Sequence, residues 1–412
     1  MTSQIIAGSA RTLLRHPPFV YLALGRGFSS MAFQMGAVAM GWQVYAMTSS
    51  AFDLGLIGVA QFVPMAALTF LGGHAVDRYE RKLVLQLCQL AEALAAIFLA
   101  WGTFAGWLTV GEIFAAVVVL GGSRAFGSPA SAALLPGVVP EGMLQKGTAI
   151  SNGAFQTATI IGPAIGGFAY AISPVVPYAL MAALWLLATM LNGMIQMDRP
   201  AAVKEPFTLA SLFAGVRFVW RSPAIFGTIS LDLFAVLLGG ATALLPIYAR
   251  DILHTGPWGL GILRGAPAIG SLLMTIWVAR HAMEHRVGMR MFQAVIVFGL
   301  ATAVFGVSRY FVLSLVALFI MGASDTVSVI IRTSLVQLRT PDNMRGRVGA
   351  VNYLFIGASN NLGEFESGFT AALLGAMPAV ILGGIGSVAV ALLWMKLFPG
   401  LRDMERLEVY EK

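Results

Sequence analysis

GGHAVDRYERK, residues 72–82, separates two long apolar runs and places Asp77, Arg78, Glu80, Arg81 and Lys82 within six positions. The stretch stands out because only 11% of the 412 residues are charged while 58% are hydrophobic, against roughly a quarter charged in an average globular chain. Mean hydropathy is +0.81. The apolar runs extend for about 20 to 29 residues, enough to cross a hydrocarbon core about 30 Å thick. This composition excludes a soluble enzyme and defines an integral membrane protein.

Outward from that stretch, the apolar periodicity and its Gly, Pro and charged breaks predict spans at 19–47, 53–75, 83–105, 110–135, 147–172 and 175–197. A second set follows at 223–249, 258–280, 290–308, 311–337, 347–373 and 376–398. The one long polar interruption, DRPAAVKEPFTLASLFAGVRFVWRS at 198–222, reads as an amphipathic linker on the membrane surface, with Phe207, Leu212, Phe213 and Phe218 available to dip into the interface. The expected organisation is an N-terminal six-helix bundle (1–198), a cytoplasmic linker (199–222), a C-terminal six-helix bundle (223–398) and a cytoplasmic tail (399–412). The fold class is all-α, with twelve transmembrane helices in two pseudo-symmetric bundles.

Basic residues orient the spans, because Lys and Arg near span ends are retained on the cytoplasmic side. With both termini inside, twenty of the 26 Lys and Arg fall in cytoplasmic segments, and only Arg250 and Arg309 fall in outer loops. The net charge of +7 is therefore spread over inner loops facing anionic lipid headgroups, and no nucleic-acid partner is implied. The first apolar run is too long for a cleavable signal peptide and reads as a signal anchor. Cys88 is the single cysteine, so no intrachain disulfide can form.

The halves read as repeats. A shift of 201 positions places PEGM (140–143) on PDNM (341–344), and Gly162, Gly167 and Phe168 on Gly363, Gly368 and Phe369. Parallel duplication of a six-helix unit is an architecture of secondary transporters, with substrate near the midplane between repeats.

Gly73, Asp77, Arg78, Arg81 and Lys82 reproduce the G-x-x-x-D-R-x-x-R-K pattern between the second and third spans, and in this the chain resembles the major facilitator superfamily. The resemblance implies a conformational latch in which the Asp and basic residues reach neighbouring helix ends, including the start of the eleventh span. A carboxylate near the free N–H groups of a helix N-terminus is stabilised by about 0.3–1 kcal/mol. GPAIGG in the fifth span, with Gly162, Pro163, Gly166 and Gly167, resembles the core of a motif of proton-coupled exporters in that superfamily, although Ala158 stands where a further glycine is usual. Residues 339–368, RTPDNMRGRVGAVNYLFIGASNNLGEFESG, resemble the branch of bacterial exporters that handles enterobactin and macrolides.

Six charges lie deep in the spans: Arg26, Glu92, Arg124, Asp232, Asp325 and Arg332. A charge at the centre of a membrane helix costs about 2.5–3.5 kcal/mol on insertion scales, so these face the protein interior. Superposing the halves sets Arg124 against Asp325 and Arg26 against Asp232, which predicts that each half contributes one sign to a shared cavity network. Asp325 and Arg332, seven apart on one helical face, can pair through Ser328 or water. Glu364 and Glu366 in the eleventh span are either coupling carboxylates or the lining of a wet vestibule.

HAMEH, His281–His285, satisfies an H-x-x-E-H pattern, but it sits in a short loop and is read as no metal site. There is no phosphate-binding loop for ATP and no cofactor is implied. The expectation is a monomeric secondary exporter in the bacterial cytoplasmic (inner) membrane. It would move a bulky siderophore, macrolide or drug-like compound against protons by rocker-switch alternating access, without enzyme activity. A lysophospholipid flippase or a metal-ion exporter on the same fold are the alternatives.

Overall fold

The computed structural model describes residues 10–196, 209–281, 285–341 and 344–406. Its long helices are α1 (Pro17–Thr48), α2 (Ala51–Arg78), α3 (Arg81–Ala105), α4 (Val110–Val138), α5 (Leu144–Ile172) and α6 (Val175–Gly193). They continue with α7 (Pro223–Leu238), α8 (Gly256–Arg280), α9 (Val287–Val307), α10 (Phe311–Arg339), α11 (Arg345–Leu374) and α12 (Ala376–Leu397). Ten segments among the described residues are long and apolar enough to span a bilayer by composition alone. α1 and α11 have the length, at 32 and 30 residues, but are diluted by Arg26, Gln34 and Gln43 and by Asn360, Asn361, Glu364 and Glu366. The same polar residues that lower their hydropathy are candidates for the transport path.

α3 shows how the sequence sorts its faces. Leu87, Leu90, Leu94, Phe98 and Trp101 are exposed at helical spacing, whereas Gln89, Glu92, Ala96 and Leu99 are buried. The apolar stripe faces lipid and the polar groups face protein, as expected where no water can solvate a charge.

Packing divides the chain into two compact units, one of residues up to 37 plus 63–206, the other of residues 38–62 plus 207 onward. In the first unit α3 packs on α4 and α6; in the second α9 packs on α10 and α12. The duplicated pairing repeats in detail at close helix crossings. A Cβ on Gly162 would stand 2.9 Å from Gln34 Cβ on α1, and one on Gly363, its repeat mate, 2.9 Å from the Val236 carbonyl on α7. α8 and α10 cross even more tightly, because a Cβ on Gly322 would overlap the Pro267 backbone and one on Gly270 the Phe319 carbonyl. Gly322→Ala is therefore expected to destabilise by about 1–3 kcal/mol through overpacking. Gly153→Ala, with nothing within 4 Å of the new methyl, should leave the melting temperature in detergent unchanged or raised.

Two boundaries differ from the sequence reading. α2 runs through Arg78 and leaves only Tyr79 and Glu80 as connection, since nothing between His74 and Arg78 breaks a helix. The span expected at 223–249 is interrupted at Gly239–Gly240, resumes as a 3-10 turn, Ala241–Leu244, and ends in a π turn, Tyr248–Ile252. Gly240 is where the Gly363 carbonyl of α11 comes too close for any Cβ.

The linker helix, Leu209–Arg221, packs on α7 and α11. Phe218, expected at the interface, packs against the second-unit core instead; the exposed Trp220 has its ring centroid 5.0 Å from that of Phe226, the two rings tilted by 51°. Phe207 and the side chains of Leu212 and Phe213 lie outside the described residues. The segment 399–406 folds back on α9, whose Gly288 N–H donates to the Met404 carbonyl at 3.0 Å, satisfying a helix N-terminal donor.

Candidate functional site

In the first unit three helices bring charge together. Arg26 of α1 donates from Nη1 to Ser151 Oγ on α5 at 2.7 Å. Two turns further along α1, Phe33 lies beneath the Arg124 guanidinium of α4, with Cζ 4.0 Å from the ring centroid. Arg124 also acts electrostatically on Glu92, which is buried on α3. One turn before Glu92, Gln89 donates to Ser29 Oγ at 2.8 Å and accepts from Asn192 Nδ2 at 2.9 Å. Ser29 lies between Arg26 and Phe33 on the same face of α1. Two guanidinium groups and one carboxylate leave this cluster with one excess positive charge.

The second unit has the opposite excess. Asp232 of α7 and Arg332 of α10 form a direct ion pair with almost no exposure. Asp325, two turns before Arg332 on α10, senses both partners electrostatically. The buried Arg332 Nε has no hydrogen-bond partner among the described residues, so the guanidinium keeps a donor in hand. Two carboxylates around one guanidinium leave one negative charge, which a proton or a cation can neutralise.

These contacts correct the expected pairing. The ionic partner of Asp232 is Arg332, not Arg26, and each unit holds both signs rather than one. Arg332 pairs with Asp232 across helices rather than with Asp325 along α10, because the α7–α10 crossing brings the opposite charge into direct reach.

The other candidates separate. Glu366 is tied to its own helix, accepting from Thr370 Oγ1 at 2.9 Å. Glu364 lies against α2, where a Cβ on Gly58 would be 3.1 Å from its Oε2, and Arg264 of α8 acts on it electrostatically. Sequence reasoning passed over Arg264, although a charge in the middle of the 258–280 run was the signal to follow.

At the 72–82 connection, Arg81 Nη1 donates to the Ala133 carbonyl and Lys82 Nζ to the Ile195 carbonyl, each at 3.3 Å. These carbonyls lie towards the C-terminal ends of α4 and α6, the negative ends of their dipoles. Gly73 and Arg78 lie in the last turns of α2, with Arg78 exposed; the Asp77 side chain lies outside the described residues. In GPAIGG, Gly162 and Gly166 seat α5 on α1 at Met31–Met35, Gly167 is buried, and Pro163 sits within a continuous helix.

Comparison with known proteins fits this construction. The sequence profile described as Major Facilitator Superfamily matches residues 22–364. A protein named enterobactin exporter EntS from Citrobacter koseri is 27% identical over 399 residues, 95% of this chain and 94% of that one. The protein of the same name from Escherichia coli is 28% identical over 385 residues, covering 91% and 87%. Among solved structures, a bacterial homologue of the iron transporter ferroportin superposes with a TM-score of 0.71 at 17% identity, over 95% of this chain and 100% of that one. A bacterial homologue of the human lysosomal transporter Spinster does so with a TM-score of 0.74 at 12% identity, over 96% and 99%. The duplicated helical units, the charges held inside them and the profile match over most of the length agree: the chain is a multi-pass membrane transporter of the Major Facilitator Superfamily.

Proposed function

We propose that this transporter exports a bulky, partly apolar small molecule of the siderophore type from a bacterial cytoplasm in exchange for protons. It would work as a monomer in the inner membrane, by alternating access, with both termini cytoplasmic. The relatives named as enterobactin exporters, which match nearly the whole chain, support the substrate class and the direction. The basic residues on one side of the predicted spans support the orientation.

The observation that carries proton coupling is the charge imbalance around Arg332. Asp232 holds the guanidinium directly, Asp325 adds a second carboxylate, and one proton restores neutrality. A proton arriving at Asp325 and leaving on the other side is the minimal exchange such a site supports. In the first unit the spare positive charge of Arg26 and Arg124, with Phe33 against the guanidinium, suits an aromatic molecule bearing acidic hydroxyls.

Everted membrane vesicles energised to an acidic interior, supplied with radiolabelled enterobactin, test this reading. The label is expected to accumulate, and a protonophore should return it to the level of vesicles lacking the protein. Accumulation that survives collapse of the gradient would remove the antiport.

A further inference from the structure

Within the second unit, the last two turns of α10 and the second turn of α11 enclose a cavity of about 390 Å³. The α10 end supplies Thr333, Val336 and Thr340, and α11 supplies Gly349 and Asn352. Among the described residues no charged side chain lines it. Two polar atoms in its wall have no hydrogen-bond partner among the described residues: Thr340 Oγ1, on a residue only 2% exposed, and Asn352 Oδ1. Thr333 gives its proton to the Val329 and Ile330 carbonyls of its own helix, at 2.7 and 3.1 Å, so it offers the cavity an acceptor alone.

Buried polar atoms are paired as a rule, with protein or with water, so the contents of the cavity must supply the missing partners. Its volume is far above the roughly 30 Å³ share of one water molecule and falls in the range of small-ligand pockets. Val336 and Leu338 give it apolar sides. An anion would meet no cation on this wall, and a cation no carboxylate. An uncharged apolar body bearing hydroxyl groups matches it: one O–H donates to Asn352 Oδ1, a second exchanges a hydrogen bond with Thr340 Oγ1, and Thr333 Oγ1 remains as a further acceptor. Gly349 leaves the mouth open, being exposed and having nothing within 4 Å of where a Cβ would stand. The position is also on the route to the charged cluster. Val336 follows Arg332 by one helical turn and Thr340 follows by another, continuing the α10 face that carries Asp325 and Arg332.

We propose that this cavity is a docking subsite for an uncharged, hydroxyl-bearing ring of the transported molecule, seating it on the second unit before it reaches the Asp232–Arg332 pair. Thr340 and Asn352 bind the hydroxyls, and Val336 and Leu338 hold the ring. The inference rests on the export reading only for the order of events. Binding in the cavity needs neither a gradient nor transport, so its failure and the failure of proton exchange are read in separate experiments.

The test uses the purified full-length protein in nanodiscs, with Thr333→Cys as a reporter inside the cavity and, in a second preparation, Gln337→Cys as a reporter at its rim. A small water-soluble thiol reagent labels each, and peptide mass spectrometry reads the rate there and at native Cys88 in the first unit. Saturating resorcinol is expected to slow labelling at both reporters several-fold. Its dimethyl ether, which keeps the ring and both oxygens but has no O–H, should leave the rates unchanged. Asn352→Ala and Thr340→Val should each raise the half-effective resorcinol concentration about five-fold, as loss of one hydrogen bond between neutral groups allows. Gly349→Leu, which fills the mouth, should slow labelling with no ligand present. Protection by neither compound makes this a hydrated pocket only and overturns the subsite. Equal protection by both, or a matching fall at Cys88, also overturns it, since that reports partition into the bilayer or a general change in the protein.

Discussion

Asp232→Asn is expected to lower the stability of the detergent-solubilised protein by about 1.5–3 kcal/mol, because it removes the charged hydrogen-bond partner that holds the Arg332 guanidinium directly and leaves only Asp325 to balance it. The pair is direct and both side chains are almost fully enclosed. Arg332→Gln should cost stability for the mirror reason, and more so because two carboxylates then face each other without a cation. The double variant Asp232→Asn with Arg332→Gln should regain most of the lost melting temperature, since a neutral hydrogen-bonded pair replaces an ionic one. Thermal unfolding of all four proteins checks this as a double-mutant cycle. Simple addition of the two single losses would mean that the groups do not depend on each other.

Asp325→Asn should do the opposite to stability and the most to function. It removes the excess negative charge beside an ion pair that stays intact, so the melting temperature is expected to hold or rise. The proposed proton carrier is lost with it. Gradient-driven accumulation should fall to background, while exchange of labelled for unlabelled substrate across a membrane without a gradient continues, because binding and rocking need no proton in that mode. Comparing the two transport modes in one vesicle preparation measures the split. Equal loss of both would make Asp325 a substrate-binding or structural residue.

That two carboxylates near one guanidinium should respond in opposite ways was only half legible in the sequence. Asp325 and Arg332 show themselves as charges seven apart on one apolar run, and Asp232 as a charge in another. What sequence does not contain is which helices cross, and the α7–α10 crossing turned an expected Arg26–Asp232 match into the Asp232–Arg332 pair. Repeat symmetry identifies equivalent positions, not neighbours, and that distinction is what misplaced Arg26. The same symmetry served well where it concerned packing: Gly162 and Gly363, aligned by a shift of 201, both seat their helices against the first helix of their own half. Arg264 was visible as a charge inside the 258–280 run, but it was not among the charges singled out. The π turn that presents Arg250 and Asp251 left no pattern in the sequence, since it follows from how α7 resumes after Gly239–Gly240.

Proteoliposomes holding the purified protein and an internal pH dye give the most direct measurement of coupling. An outward gradient of enterobactin, with no pH gradient imposed and with potassium and valinomycin clamping the voltage, should acidify the interior as substrate leaves and protons enter. Asp325→Asn vesicles should lose the acidification. Substrate efflux at the wild-type rate with no movement of internal pH would contradict proton exchange.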